Sequence, residues 1–157
     1  MVNSDLPPFV EGAMAPRVAK TTKFISMMIK SHLAAHDVPL TKEQFIVLLC
    51  LEEGAKNQSF LAILTERNKG SLTRLIQSIE KKGYIERNVS SADNRVNEVE
   101  LTSEGKMVLE ETKPIMKNLF AVLQQGVEEE EMQIATRVLE KIQINATHEI
   151  ERLEVKK

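Results

Sequence analysis

The spacing of apolar positions changes several times along the chain, and each change predicts an element. Met14, Val18, Ile25, Met28, Ile29 and Leu33 recur at three and four residues, the period of an amphipathic helix, with Pro16 in its first turns. Asp37-Val38-Pro39 should stop that helix, because proline restricts the residue before it and cannot extend the ladder. Thr41 then reads as an N-cap with Gln44 as its capping-box partner, opening an apolar helix through Phe45, Leu48, Leu49 and Leu51 to Gly54. Asn57 or Ser59 can cap a short helix carrying Leu61, Ala62 and Leu64. Asn68 can cap the next, from Lys69 to Lys82, with Gly83 suited to the left-handed position after it. Two short helices across a tight connection form a helix-turn-helix.

The period then falls to two. Residues 84–89 and 96–101 alternate apolar and polar and predict two strands of a hairpin around the polar loop Ser90-Ser91-Ala92-Asp93-Asn94-Arg95. A hairpin directly after a helix-turn-helix makes a winged helix. From Thr102 the helical period returns in Val108, Leu109, Ile115, Met116, Leu119, Phe120 and Leu123, with Pro114 expected to kink the helix. A last helix starts in Glu128 to Glu131, where negative charge suits the helix dipole, and continues through Val138, Leu139, Ile142, Ile150 and Leu153.

Composition narrows the class. The 157 residues are 42% hydrophobic but only 4% aromatic, a palette that favours helices and excludes a disordered chain. The expected fold is mainly α with a small β-hairpin wing: a winged helix-turn-helix over about residues 40–102, flanked by long helices at about 13–36 and 103–153, within one domain. The single cysteine, Cys50, and the lack of a long apolar run near the N-terminus predict a cytoplasmic protein with no membrane partner. Formal net charge is −2, yet residues 67 to 87 hold six basic side chains against two acidic ones. A neutral total conceals a basic segment.

The runs LTKEQFIVLLCLEEG (40–54), LAILTERNKGSLTRLIQSIEKKGYIER (61–87), SADNRV (91–96) and VELTSEGK (99–106) together resemble the MarR family of bacterial winged helix-turn-helix regulators. The strongest elements are Lys-Gly-Ser-x-Thr-Arg-Leu from Lys69, the helix end Glu80-Lys81-Lys82-Gly83, the Asp93-x-Arg95 wing, and Leu101-Thr102 before a long helix. The resemblance implies a homodimer joined by its terminal helices, with two winged helices on a pseudo-palindromic operator of double-stranded DNA. It also implies a ligand-responsive repressor, no cofactor, and a small aromatic or phenolic effector. The chain departs from that pattern at Glu66-Arg67, where the family usually carries a glycine and an apolar residue.

Projected at 100° per residue, Leu72, Leu75, Ile76 and Ile79 share the core arc of residues 69–82. The opposite arc holds Gly70, Arg74, Gln77, Ser78 and Lys81, with Ser71 and Thr73 on its shoulders. Such a face suits a major groove about 12 Å wide. Arg74 can bond guanine bidentately, while Ser71, Thr73 and Gln77 can reach base edges or phosphates and Lys69 adds to the attraction at the helix start. The wing and its flanks supply Arg67, Arg87, Asp93, Asn94 and Arg95. Arg95 suits the minor groove, and Asp93 can orient it. The apolar stripes of the terminal helices fit burial between two chains, and one recognition helix alone contacts too few base pairs for useful specificity.

Other chemistry is weakly represented. His32 and His36 have the spacing of a chelating pair but lack a third ligand nearby, and Cys50 among leucines reads as a small buried hydrophobe. The absence of a paired nucleophile and base, or of a phosphate loop, argues against an enzyme. A winged-helix protein-interaction module without DNA binding is the alternative, but it would have no reason to keep Lys69, Ser71, Arg74 and Arg95 together.

Overall fold

The computed structural model describes residues 12–89 and 97–155. The chain forms two compact units, one running to Leu119 and one from Phe120 onward. The first unit contains α1 (Met14–Ala35), α2 (Lys42–Cys50), β1 (Lys56–Asn57), α3 (Gln58–Leu64), α4 (Lys69–Glu80), β2 (Ile85–Val89), β3 (Asn97–Leu101) and most of α5 (Ser103–Leu123). The second contains α6 (Glu129–Glu154).

Local chemistry sets the helix boundaries. Thr41 Oγ1 accepts from the Gln44 backbone N–H at 3.2 Å while Gln44 Oε1 accepts from the Thr41 N–H at 3.1 Å, completing the capping box. Asn57 and Asn68 cap α3 and α4 through their side-chain oxygens, at 2.8 Å to the Phe60 N–H and 2.9 Å to the Ser71 N–H. Three helices end in the same way. Asp37, Glu66 and Gly83 each take positive φ, and the residue after each donates back to a carbonyl five residues upstream: Val38 to Leu33, Arg67 to Ala62, Tyr84 to Ile79. Only the last uses glycine.

The core of the first unit is aliphatic except for Phe45. Its buried residues include Phe45, Val47, Leu48 and Leu51 of the second helix and its cap, Leu61, Leu72, Ile76 and Ile79 of the helix-turn-helix, Ile85, Val99 and Leu101 of the sheet, and Val108, Leu109 and Met116 of α5. The expected hairpin is present, with Ile85 opposite Leu101 and Arg87 opposite Val99. A third strand joins it: β1 pairs antiparallel with β3, Lys56 opposite Val99, giving the order β1-β3-β2. Two residues are too few to show an alternation, so the sequence pattern contains no sign of β1.

The terminal helices differ from their apolar patterns in what they bury. Within α1 only Ile29 and Leu33 are buried, and within α6 no residue is. Ile134, Val138, Leu139, Ile144, Ile150 and Leu153 of α6 all remain exposed. Pro114 lies inside α5. Among the described residues no helix is long and apolar enough to cross a membrane.

Candidate nucleic-acid interface

The helix that carries the candidate residues is α4, and its orientation follows from its own sequence. Leu72, Ile76 and Ile79 are 1%, 0% and 0% exposed, so this stripe is pinned in the core. Leu75, expected beside them, is only half-buried. Lys69, Gly70, Arg74, Gln77 and Lys81 are exposed along the opposite side, and Ser71 and Thr73 are half-buried at its edges. A polar, cationic ridge therefore stands on the outer side of the second helix of a helix-turn-helix.

Gly70 at the start of the ridge is not demanded by the fold. A Cβ built there would meet only Asn68 Oδ1, at an ordinary 3.7 Å, and its φ is not in the left-handed region. The residue leaves an open surface beside the first-turn N–H groups of α4. Thr73 Oγ1 donates to the Lys69 carbonyl at 2.8 Å, so its hydroxyl oxygen is presented as an acceptor.

The turn before α4 explains the departure at Glu66-Arg67. Glu66 takes φ +51°, the conformation for which glycine is the usual residue, and its N–H bonds the Ile63 carbonyl at 3.2 Å. A non-glycine residue in this conformation carries a cost in backbone strain. Arg67 folds over the first turn of α4, donating from Nη1 to Ser71 Oγ at 3.1 Å. Its guanidinium is thereby held at the N-terminal end of the ridge, where the helix dipole also favours an anion.

Two of the six basic residues in the 67–87 segment bond to groups of the fold away from the ridge. Period two places Arg87 on the same side of β2 as buried Ile85, and there it forms a bidentate ion pair with Glu80 at the end of α4. Lys82 Nζ donates to the Pro39 carbonyl at 2.7 Å and to Gln44 Oε1 at 2.9 Å. Ser78, expected on the outer arc, is instead half-buried: it accepts from Gln44 Nε2 at 3.1 Å and donates to the Leu75 carbonyl at 2.7 Å. The capping pattern signalled Gln44, but nothing in the spacing revealed that its amide would reach 34 residues along the chain to α4. Asp93, Asn94 and Arg95 of the wing lie outside the described residues.

A cavity of about 400 Å³ opens beside the N-terminus of α2. Its lining includes Lys30 and Leu33 of α1, Val38 and Leu40 of the connection, and Lys42 of α2. Elsewhere, His32 and His36 face each other with ring centroids 5.0 Å apart. Cys50 is half-buried, and burial pushes its thiol pKa up, away from the reactive thiolate. Lys113 of α5 reaches Glu52 and Glu110, whose hydrogen bonds raise its pKa and tie α5 to the end of α2.

A helix-turn-helix whose second helix is capped and carries an exposed cationic side, followed by a β-hairpin, defines a winged helix-turn-helix protein. The chain belongs to the SarA/Rot transcriptional regulators, a winged-helix group of MarR type: the profile of that family matches residues 29–112. The HTH-type transcriptional regulator SarZ of Staphylococcus saprophyticus is 33% identical over 110 residues, covering 69% of this chain and 74% of that protein. Among solved structures, a MarR variant from Escherichia coli complexed with operator DNA superposes with a TM-score of 0.78 at 21% identity, over 87% of this chain and 99% of that one. BpsR of Bordetella bronchiseptica, whose DNA binding is regulated by 6-hydroxynicotinic acid, gives 0.78 at 20% identity over 88% and 97%. Both share the fold. The relatives are transcriptional regulators.

Proposed function

We propose that the protein acts in the cytoplasm as a homodimeric repressor that reads a pseudo-palindromic operator through α4, and releases it when a small aromatic or phenolic acid binds. The observation that carries the reading is the division of α4 into a fully buried apolar stripe and an exposed ridge of Lys69, Gly70, Arg74 and Gln77. Arginine and glutamine there match base edges in a major groove, and Lys69 with Arg67 matches the phosphates beside it. The unburied apolar positions of α6 supply a surface for a second copy, and two-fold symmetry would set half-sites about 10 bp apart.

The effector reading rests on the cavity beside α2. Its apolar residues Leu33, Val38 and Leu40 suit a ring, and Lys30 and Lys42 suit a carboxylate or phenolate. Such a ligand acts only if it prefers one placement of the recognition helices over another.

Selection of bound duplexes from random DNA, combined with light scattering of the free protein, tests the reading. A two-fold symmetric consensus and a dimer mass are expected. A monomer with no duplex preference overturns it. Repeating the selection with salicylate and 6-hydroxynicotinate tests the effector, with loss of the enriched duplexes expected.

A further inference from the structure

We propose that Gln44 is a positioning residue for DNA recognition: its buried amide fixes the rotation of α4 about its own axis and so aims Arg74 and Gln77. The proposal rests on the reading of α4 as the helix that enters the groove.

Gln44 is 5% exposed, one of only two buried polar side chains among the described residues, and a buried amide is tolerated only when its hydrogen bonds are satisfied. Its side chain bonds both the cap of its own helix and the C-terminal end of α4. Oε1 accepts from the Thr41 N–H at 3.1 Å and from Lys82 Nζ at 2.9 Å, while Nε2 donates to Ser78 Oγ at 3.1 Å. The partners fix the orientation of the amide. Turned over, its NH2 would face two donors and its oxygen would no longer accept from either. Lys82 carries the link further, to the Pro39 carbonyl at 2.7 Å. The α1–α2 connection, the N-terminus of α2 and the second half of α4 are therefore held together through two linked side chains, Gln44 and Lys82.

The mechanical consequence follows from the kind of contact on each side of α4. Leu72, Ile76 and Ile79 hold the helix against the core, but apolar contact is non-directional and permits rolling. The bond to Ser78 is directional. Ser78 follows Gln77 directly and lies one turn beyond Arg74, so restraining its angle restrains theirs. Functional side chains need to be held within about 0.5 Å and 10–20° of their productive geometry. The other end of the tie is the cavity rim, since Pro39 immediately precedes Leu40 and Thr41, both of which line the cavity.

The test compares the full-length wild type with Gln44→Met, Ser78→Ala and Thr41→Ala. Gln44→Met keeps the length of the side chain and removes both bonding ends; Ser78→Ala cuts only the link to α4; Thr41→Ala weakens the cap and spares that link. The readouts are melting temperature, affinity for a selected duplex and for a random duplex of equal length, and hydrogen exchange of the α4 amides. Gln44→Met and Ser78→Ala should each lower the selected-to-random affinity ratio about tenfold, the scale of one misaligned base contact, with random-duplex affinity little changed. Thr41→Ala should lower the melting temperature and leave the ratio intact. An unchanged ratio in Gln44→Met and Ser78→Ala overturns the proposal, as does an equal loss in Thr41→Ala, which would reduce the effect to lost stability. If the wild type shows no duplex preference, the DNA reading is what fails. Exchange then decides the tie: faster α4 exchange in Gln44→Met and Ser78→Ala alone upholds it, and equal exchange in all variants removes it.

Discussion

A Cβ placed on Gly105 would lie 1.8 Å from the carbonyl oxygen of Tyr84. The start of α5 is seated directly on the backbone that leaves α4. The same junction is bonded twice more: the Thr102 N–H donates to the Tyr84 carbonyl at 3.1 Å, and Thr102 Oγ1 donates to the Gly83 carbonyl at 2.6 Å. Thr102 Oγ1 also accepts from the Gly105 N–H at 3.0 Å, capping the helix. Since the obstacle is backbone, Gly105→Ala cannot be relieved by a rotamer change. It should destabilise the fold by about 1–3 kcal/mol, read from denaturant midpoints, despite the higher helix propensity of alanine.

Glu66 presents the opposite case. It occupies a left-handed conformation at φ +51°, where a side chain brings its Cβ too near the following carbonyl. Glu66→Gly should stabilise the protein by on the order of 1 kcal/mol in chemical denaturation, with the gain reduced by the extra freedom of the unfolded chain. A loss of stability would show that the Glu66 side chain contributes more than its backbone costs.

Gly70→Ala separates fold from function. The site has room for a methyl group, so the melting temperature should hold or rise. DNA affinity should fall if, as proposed, a phosphate approaches the first turn of α4, because the methyl group occupies that open surface. Unchanged affinity would place the phosphate elsewhere.

Arg74 is exposed on the ridge, and Arg74→Ala should cost about 1–3 kcal/mol on a selected duplex, less on random DNA, and relax base preference at one position per half-site. Equal losses on both duplexes would assign Arg74 to the phosphates. Competition binding at fixed salt measures the difference.

Cys50 should resist modification at neutral pH. Burial raises its pKa, so the folded state favours the protonated thiol and holds less thiolate than the unfolded chain at the same pH. The alkylation rate against pH should therefore have its midpoint above that of the denatured protein. By the same linkage, the contribution of Cys50 to stability is present below the unfolded pKa and lost as pH rises through the folded one. A midpoint below the denatured value would indicate an activated thiol.

The sequence by itself determined the helices α1 to α6, the two hairpin strands and their order. Helical and two-residue periods, the caps at Thr41, Asn57 and Asn68, and the glycine after α4 are local signals, acting within a turn or two of chain. They also placed the outward side of α4, because Leu72, Ile76 and Ile79 leave only one side free. Contacts distant in sequence were decided by tertiary structure alone. β1 exists because β3 offers it an edge, Arg87 faces Glu80 because both project into one corner, and Gln44 meets Ser78 and Lys82 because the core brings α2 against α4. Charge and polarity along a chain say which groups need partners; only the packing of the apolar stripes says which partners come within reach.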